Sequence, residues 1–253
     1  MKVGLQLSLT IGTFDGSDLV NLFERFIGFE PYIFTRGSKT EAWNERKHRK
    51  VMQNYAGDML LTFSDRMWNS FSISRTNTEQ SFLSVRIVQE MDVFFPSNDE
   101  MSDFLNLLPG LRSAYLYNGE YVQVQSEEFS NNLTGRQWPK EVMDSIKNTP
   151  YKIGDHGKEY EVRFNPGRSI FVDHSYLLAA WKIWLAEPFF ALVPKEKILA
   201  FPHAIQIREL PSGIVYVQLF ERLEESHTPE SMFRQWKWQE WLNFDELIKS
   251  QGS

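Results

Sequence analysis

The feature that most constrains the fold of this chain is an uneven alternation of strand-like and helix-like segments along its whole length. The first strand-like segment alternates apolar residues with polar or small ones, at Val3, Leu5, Leu7 and Leu9, and this period of two predicts a half-buried strand. Apolar residues at helical spacing follow over 19–27, behind the capping sequence Asp15-Gly16-Ser17, and predict a helix. Because hairpins and helices are mixed at irregular intervals, the pattern favours an α+β fold, with a mixed, largely antiparallel sheet and several packed helices, over a doubly wound parallel sheet.

The same two periodicities assign most of the remaining chain. Asn118-Gly119 supplies the two positive-φ positions of a type I′ turn and predicts a hairpin between 114–117 and 121–125. Ser175 is predicted to cap a strongly apolar, central helix over 176–186. Other strands are predicted at 31–35, 59–63, 70–75, 81–95, 160–164, 169–172, 205–210 and 214–220. Other helices are predicted at 40–56, 138–147 and 229–242, and one that starts within 96–100 and ends before Pro109; a last turn is predicted at 244–249.

Two stretches, 3–35 and 85–117, share the order strand, short helix, strand, although too few of their residues are identical to define a repeat. We expect one compact body over 1–253. The alternative is a division into 1–128 and 136–253, joined by the polar loop at 126–135.

Several classes of protein are excluded by what the sequence lacks. It contains no cysteine, which rules out a disulfide framework, a thiol nucleophile and a cysteine-ligated metal centre. No window approaches 18 consecutive apolar residues, so no transmembrane helix is expected. The first residues lack the small-residue cleavage site of a secretion signal, and a cytoplasmic location is expected.

Motifs of known catalytic chemistry are also missing, among them the glycine-rich phosphate loops, the hydrolase elbow and the His-Glu-x-x-His zinc motif. A carboxylate adjoins a histidine at Asp155-His156 and at Asp173-His174. Each pair is typical of a turn or a helix cap, and each is also a possible acid–base pair. An enzyme or small-molecule-binding protein with Asp173, His174 and His203 near its site is therefore the alternative hypothesis. No cofactor and no metal are expected.

Charge is distributed unevenly along the chain. Residues 79–128 hold nine acidic and two basic residues, a net charge of −7, against −6 for all 253 residues. The basic run 46–50 is interpreted as a solvated helix face, and nucleic acid is not an expected partner of so acidic a chain. If the acids of 79–128 lie together in space, their field attracts a basic protein; the ordinary interpretation is solubility. The binding residues predicted here are Glu90, Asp92, Asp99, Glu100, Asp103 and Glu120.

The last long helix is rich in aromatic residues. Phe233, Trp236, Trp241 and Phe244 can share one face, and core packing is the ordinary interpretation of that face. Trp238 points elsewhere on the same helix. It is therefore added to the predicted binding residues as an interface residue.

A chain that is cysteine-free, acidic, rich in aromatics and composed of many short strands resembles bacterial immunity proteins, the cytoplasmic antidotes to delivered toxins. The similarity is greatest in the closing section, from residues 215–220 (VYVQLF) to residues 238–242 (WQEWL). The resemblance implies a non-enzymatic function. It also implies a tight one-to-one complex with a toxin domain, in which the toxin's active site or an adjacent surface is blocked.

Overall fold

The structure is a computed structural model that describes residues 1–56, 60–67, 69–75, 82–91, 98–155, 157–172 and 175–249. Its strands are β1 (Lys2–Thr10), β2 (Ile33–Arg36), β3 (Lys39–Ala42), β4 (Leu61–Ser64), β5 (Ser70–Arg75), β6 (Phe82–Glu90), β7 (Leu111–Asn118), β8 (Tyr151–Gly154), β9 (Gly157–Tyr160), β10 (Ser169–Val172), β11 (Ser175–Leu178), β12 (Lys182–Leu185), β13 (Gln206–Glu209) and β14 (Val215–Gln218). Its helices are α1 (Gly16–Phe26), α2 (Glu45–Gln53), α3 (Asn98–Leu107), α4 (Gly119–Ser126), α5 (Lys140–Asp144), α6 (Lys195–Leu199), α7 (Pro229–Leu242) and α8 (Phe244–Lys249).

A ten-stranded sheet, antiparallel at every described pairing, organises the molecule, in the order β13-β14-β12-β7-β1-β6-β5-β4-β2-β3. Two further sheets have two strands each, β8-β9 and β10-β11. The predicted α+β class is therefore confirmed. Strands from before and after the polar stretch 126–135 belong to the same large sheet.

β1 lies at the centre of this sheet, between β7 and β6. The strand is predicted correctly, but it is buried on both faces instead of one. Its odd-numbered apolar residues pack into a core with α1, α2 and α3. Its polar residues Gln6 and Ser8 point to the other face and are also buried.

The two faces of the sheet carry different cores, as consecutive residues of β7 demonstrate. Ala114 and Leu116 belong to the core that contains residues of α1, α2 and α3, whereas Tyr115 and Tyr117 belong to the core that contains residues of α4, β11, β14 and α7. Since neighbouring residues of a strand point to opposite faces, α3 and α4 lie on opposite sides of the sheet. The predicted site residues on α3 and on α4 are therefore separated by the sheet.

The two predicted strand-helix-strand units form, but they are arranged differently. β6 and β7 both run antiparallel to β1, so they are parallel to each other with one strand between them. β1 and β2 are separated by three strands, β6, β5 and β4.

The hairpin predicted at Asn118-Gly119 is wrong. β7 ends at Asn118, whose side-chain oxygen accepts hydrogen bonds from the backbone N–H groups of Glu120 and Tyr121, each at 3.1 Å, and thereby caps α4. β7 already pairs with β1 on one edge and β12 on the other. A strand over 121–125 would have no free edge of β7 to pair with.

The central helix predicted over 176–186 is also wrong, because these residues form β11 and β12. All four residues of β12 are buried between β7 and β14. A strand buried on both faces has a continuous apolar sequence, which periodicity alone does not distinguish from a buried helix.

Two more segments differ from their predictions. Residues 160–164 do not form the predicted strand: Tyr160 ends β9 and Val162–Phe164 is a short 3₁₀ helix, while β10 pairs with β11. The helix predicted over 40–56 begins only at Glu45, after β3. By contrast, the hairpin of β13 and β14 and the helix α7 are confirmed. Within the described ranges, no helix combines the length and the apolar character needed to cross a membrane.

Candidate functional site

The carboxylates predicted to form one acidic surface lie on two sides of the sheet. Glu100 and Asp103 are exposed on α3, which packs on one core, whereas Glu120 lies in the first turn of α4, which packs on the other. Glu90 lies at the end of β6. The prediction that these carboxylates lie together on one acidic surface is therefore wrong, because the sheet separates them. Asp92 and the side chain of Asp99 lie outside the described parts of the structure.

Two of these carboxylates are neutralised by neighbouring cations. The Glu90 carboxylate lies 3.0 Å from Nζ of Lys2 and 3.8 Å from the N-terminal amine. The Glu120 carboxylate lies 3.2 Å from a guanidinium nitrogen of Arg136. Neither carboxylate contributes an unmatched negative charge to the surface.

Trp238 is not at the surface. Its side chain is 1% exposed and packs edge-on against Phe201, with the ring centroids 5.1 Å apart. The prediction that it is an interface residue is corrected by this burial. The exposed aromatic residue of α7 is Phe233, at 51%.

The residues of the alternative hypothesis are only partly described. His156, Asp173 and His174 lie outside the described ranges. The ring of His203 lies between those of Phe201 and Phe233, with centroids 5.7 Å from each. Among the residues that the structure does describe, no group of three or more histidine or carboxylate side chains could hold a metal ion.

A groove of about 410 Å³ runs between α1 and α3. Phe104 of α3 lines this groove and packs edge-to-face against Phe26 of α1, with the ring centroids 4.8 Å apart. Leu107 lines this groove and is 83% exposed. We call this surface the α1/α3 face and define it by Asp18, Asn21, Glu24, Glu100, Asp103 and Leu107.

A second cavity, larger than this groove, lies on the opposite side of the sheet and measures about 630 Å³. Even-numbered residues of β1, β5 and β6 form part of its lining, together with residues of α4 and of the small β10-β11 sheet. We call it the polar cleft. Its lining includes Lys2, Gln6, Ser70, Ser72, Ser74, Ser84, Arg86, Tyr117, Glu120, Glu127, Arg136 and Tyr176.

Local sequence determines the polar character of this cleft. In β5, Phe71 and Ile73 point into the core, so the alternating Ser70, Ser72 and Ser74 point to the cleft. The alternation in SFSISR at 70–75 predicts the strand correctly, but it does not by itself predict a site. The residues that face the serines come from α4 and β11, for which a strand and a helix were wrongly predicted.

Arg86 lies on the sheet side of the cleft, opposite Gln6 of β1 and Ser72 of β5. Its side chain is accessible to solvent. Electrostatic interaction with Tyr117 raises the pKa of Arg86 above its usual value, partial burial opposes this effect, and a hydrogen bond with Tyr117 and the nearby Tyr176 raise the pKa further. Within the described ranges, no carboxylate forms an ion pair with Arg86.

No protein-family model matches this chain, and no curated protein or solved structure is similar enough to count as a match. The α1/α3 face and the polar cleft are therefore the features from which a function is inferred.

Proposed function

We propose that this chain is a non-enzymatic binding protein of the immunity class, which acts in the cytoplasm and neutralises a toxin by holding a basic surface of it against the α1/α3 face. The observation that carries the proposal is the 83% exposure of Leu107 beside a groove flanked by carboxylates. A large apolar side chain left this exposed at the edge of a groove is typical of an interface residue.

The arrangement of α3 supports the proposal. Glu100, Asp103 and Leu107 are spaced by three and four residues, so they share one face of the helix. Asp18 and Glu24 flank the groove from α1, where Arg25 also lines it and Glu24 is paired with Arg49. An exposed apolar side chain with Asp18, Glu100 and Asp103 on the same face suits a partner that presents an apolar side chain among lysines or arginines.

The proposal narrows the predicted site to one side of the sheet. Glu90 and Glu120 are omitted because they lie away from α3, at the end of β6 and in the first turn of α4, and Trp238 is omitted because it is buried. Glu100 and Asp103 remain from the predicted binding residues. Asp18, Glu24 and Leu107 are added from the geometry of the groove.

The test uses the full chain and the product of a toxin-like reading frame beside its gene. The double variant Glu100→Lys/Asp103→Lys is expected to slow association with that product at least severalfold, and more strongly at low salt, because it reverses the attractive field. Leu107→Ser is expected to accelerate dissociation. Both rates are measured by surface plasmon resonance.

Glu187→Lys is the matched control, since Glu187 is exposed and lies on a short 3₁₀ helix that packs on the other core. It is expected to leave both rates nearly unchanged. Association rates that are the same for the wild type and the double variant at both salt concentrations would refute docking at the α1/α3 face.

A further inference from the structure

We propose that the polar cleft is a second binding site, for a small carboxylate that carries several hydroxyl groups, such as a sugar acid. In this assignment Arg86 binds the carboxylate, and the serine side chains of β5 and β6 bind the hydroxyl groups. The site is separate from the α1/α3 face and does not depend on the function proposed for that face.

The position of Arg86 supports an anion-binding site in the polar cleft. Its neighbours across the two adjacent strands are Gln6 and Ser72, both uncharged. The groups that act on its guanidinium are the hydroxyls of Tyr117 and Tyr176, and these do not neutralise its charge. A guanidinium that is open to a concave polar surface, with no carboxylate partner among the described residues, is suited to bind an anion through two parallel hydrogen bonds.

The other charges around the cleft indicate that the anion carries one negative charge. Lys2 is matched by Glu90 at 3.0 Å and Arg136 by Glu120 at 3.2 Å. Glu127 also lines the cleft, and it accepts hydrogen bonds from the Phe129 N–H and the Asn132 side chain. A dianion such as a phosphate ester would place a second negative charge near Glu120 and Glu127 without a further unmatched cation, so a carboxylate fits better.

The serine hydroxyl groups that line the cleft support binding of a ligand with several hydroxyl groups. Ser72 and Ser74 are half-buried, and in the described structure their side chains make no hydrogen bond with another residue. Ser84 accepts a hydrogen bond from Nε2 of Gln6 at 2.9 Å and keeps its own hydroxyl hydrogen for a ligand. Such groups can exchange donors and acceptors with the hydroxyls of a sugar, and the 630 Å³ volume lies in the range of small-molecule sites.

The test compares three hexoses that differ only at carbon 6. Glucuronate carries a carboxylate there, glucose 6-phosphate a phosphate ester, and glucose an uncharged hydroxymethyl group. Binding of each to the full wild-type chain is measured by isothermal titration calorimetry. Glucuronate is expected to bind, with at least tenfold lower affinity for glucose and weaker binding of glucose 6-phosphate than of glucuronate.

Arg86→Gln is expected to lower the affinity for glucuronate about tenfold or more, because it removes a charge-assisted hydrogen bond. The matched control is Arg163→Gln, which removes the same charge from an exposed residue outside the cleft that pairs with Glu161. This variant is expected to bind glucuronate as the wild type does.

A second measurement on the wild type keeps the proposal testable if Arg86→Gln does not fold. Amide chemical-shift changes on adding glucuronate are expected to concentrate in β5, β6 and α4. The proposal is overturned if the wild type does not bind glucuronate, if glucose or glucose 6-phosphate binds as tightly, if Arg86→Gln binds unchanged, or if the shift changes lie elsewhere.

Discussion

Tyr117 lies directly opposite Gly4 in the pairing of β7 with β1, and its ring occupies the space above Gly4. A Cβ atom at Gly4 would lie 2.4 Å from two ring carbons of Tyr117. The same ring carries the hydroxyl that interacts with Arg86. Because Gly4 has no side chain, the ring of Tyr117 can lie over β1 and line the polar cleft.

Gly4→Ala is expected to lower the free energy of unfolding by about 1–3 kcal/mol, because the added methyl group overpacks a buried contact. Chemical denaturation measures the change. The control is Gly119→Ala, where the nearest atom to an added Cβ is the Lys2 carbonyl oxygen at 3.4 Å. Gly119 is the first residue of α4, so this variant is expected to differ little from the wild type. An equal loss of unfolding free energy in the two variants would contradict the tight packing at Gly4 and the open position at Gly119.

Asn118→Ala is expected to lower the free energy of unfolding by about 1 kcal/mol, because it removes the side-chain acceptor that caps α4. Asn118→Ser is expected to retain most of the stability, since serine is also a good N-cap residue. In a type I′ hairpin serine would gain nothing over alanine at this position. Identical denaturation curves for the serine and alanine variants would thus argue against the cap.

Stability is expected to depend on pH through Lys182, whose side chain is buried against the ring of Trp181. Burial lowers the pKa of Lys182 from 10.5 to about 8. Between these values the unfolded chain keeps the proton that the folded chain has lost, so the contribution of Lys182 to stability rises with pH. Below pH 8 both states are protonated, and the full cost of burying the charge opposes folding.

Lys182→Met is therefore expected to be more stable than the wild type at pH 7. Its advantage is expected to shrink by up to about 3 kcal/mol as the pH rises from 8 to 10.5. Denaturant unfolding of both proteins at pH 7, 9 and 10.5 isolates this effect from other titrating groups. An advantage that grows with pH would show that the assigned direction of the pKa shift is wrong.

Trp238→Ala is expected to cost about 3–5 kcal/mol of unfolding free energy, since it leaves a large cavity beside Phe201. Phe233→Ala on the same helix removes a half-exposed ring and is expected to cost about 1 kcal/mol or less. Thermal or chemical denaturation of the two variants provides the comparison. A small loss of stability for Trp238→Ala together with a large loss for Phe233→Ala would show that the orientation assigned to α7 is wrong.

Segments with strong local signals could be predicted from the sequence. α7 has a Thr228 cap, a proline at its first position and apolar residues at helical spacing, and its predicted bounds match. The hairpin of β13 and β14 turns at Gly213, whose φ of 85° suits glycine. Each of these elements depends on interactions within a few residues of itself.

The elements that were predicted wrongly depend on neighbours distant in the sequence. Asn118 is equally suited to a type I′ turn and to a helix cap, and the choice depends on whether an edge of β7 is free. The residues of β12 are apolar because β7 and β14 enclose them, and a buried helix would require the same composition. The candidate site was missed for the same reason, since Arg86, Tyr117 and Tyr176 meet only after the strands have been ordered.

The outermost strands of the large sheet have a further consequence. β3 and β13 are four residues each, and together they carry Lys39, Glu41, Arg208 and Glu209. A second molecule that tried to extend the sheet would have to bring its backbone alongside these charged side chains, over only a short length of hydrogen-bonding edge. Edge-to-edge growth of the sheet from one copy to the next is thereby disfavoured.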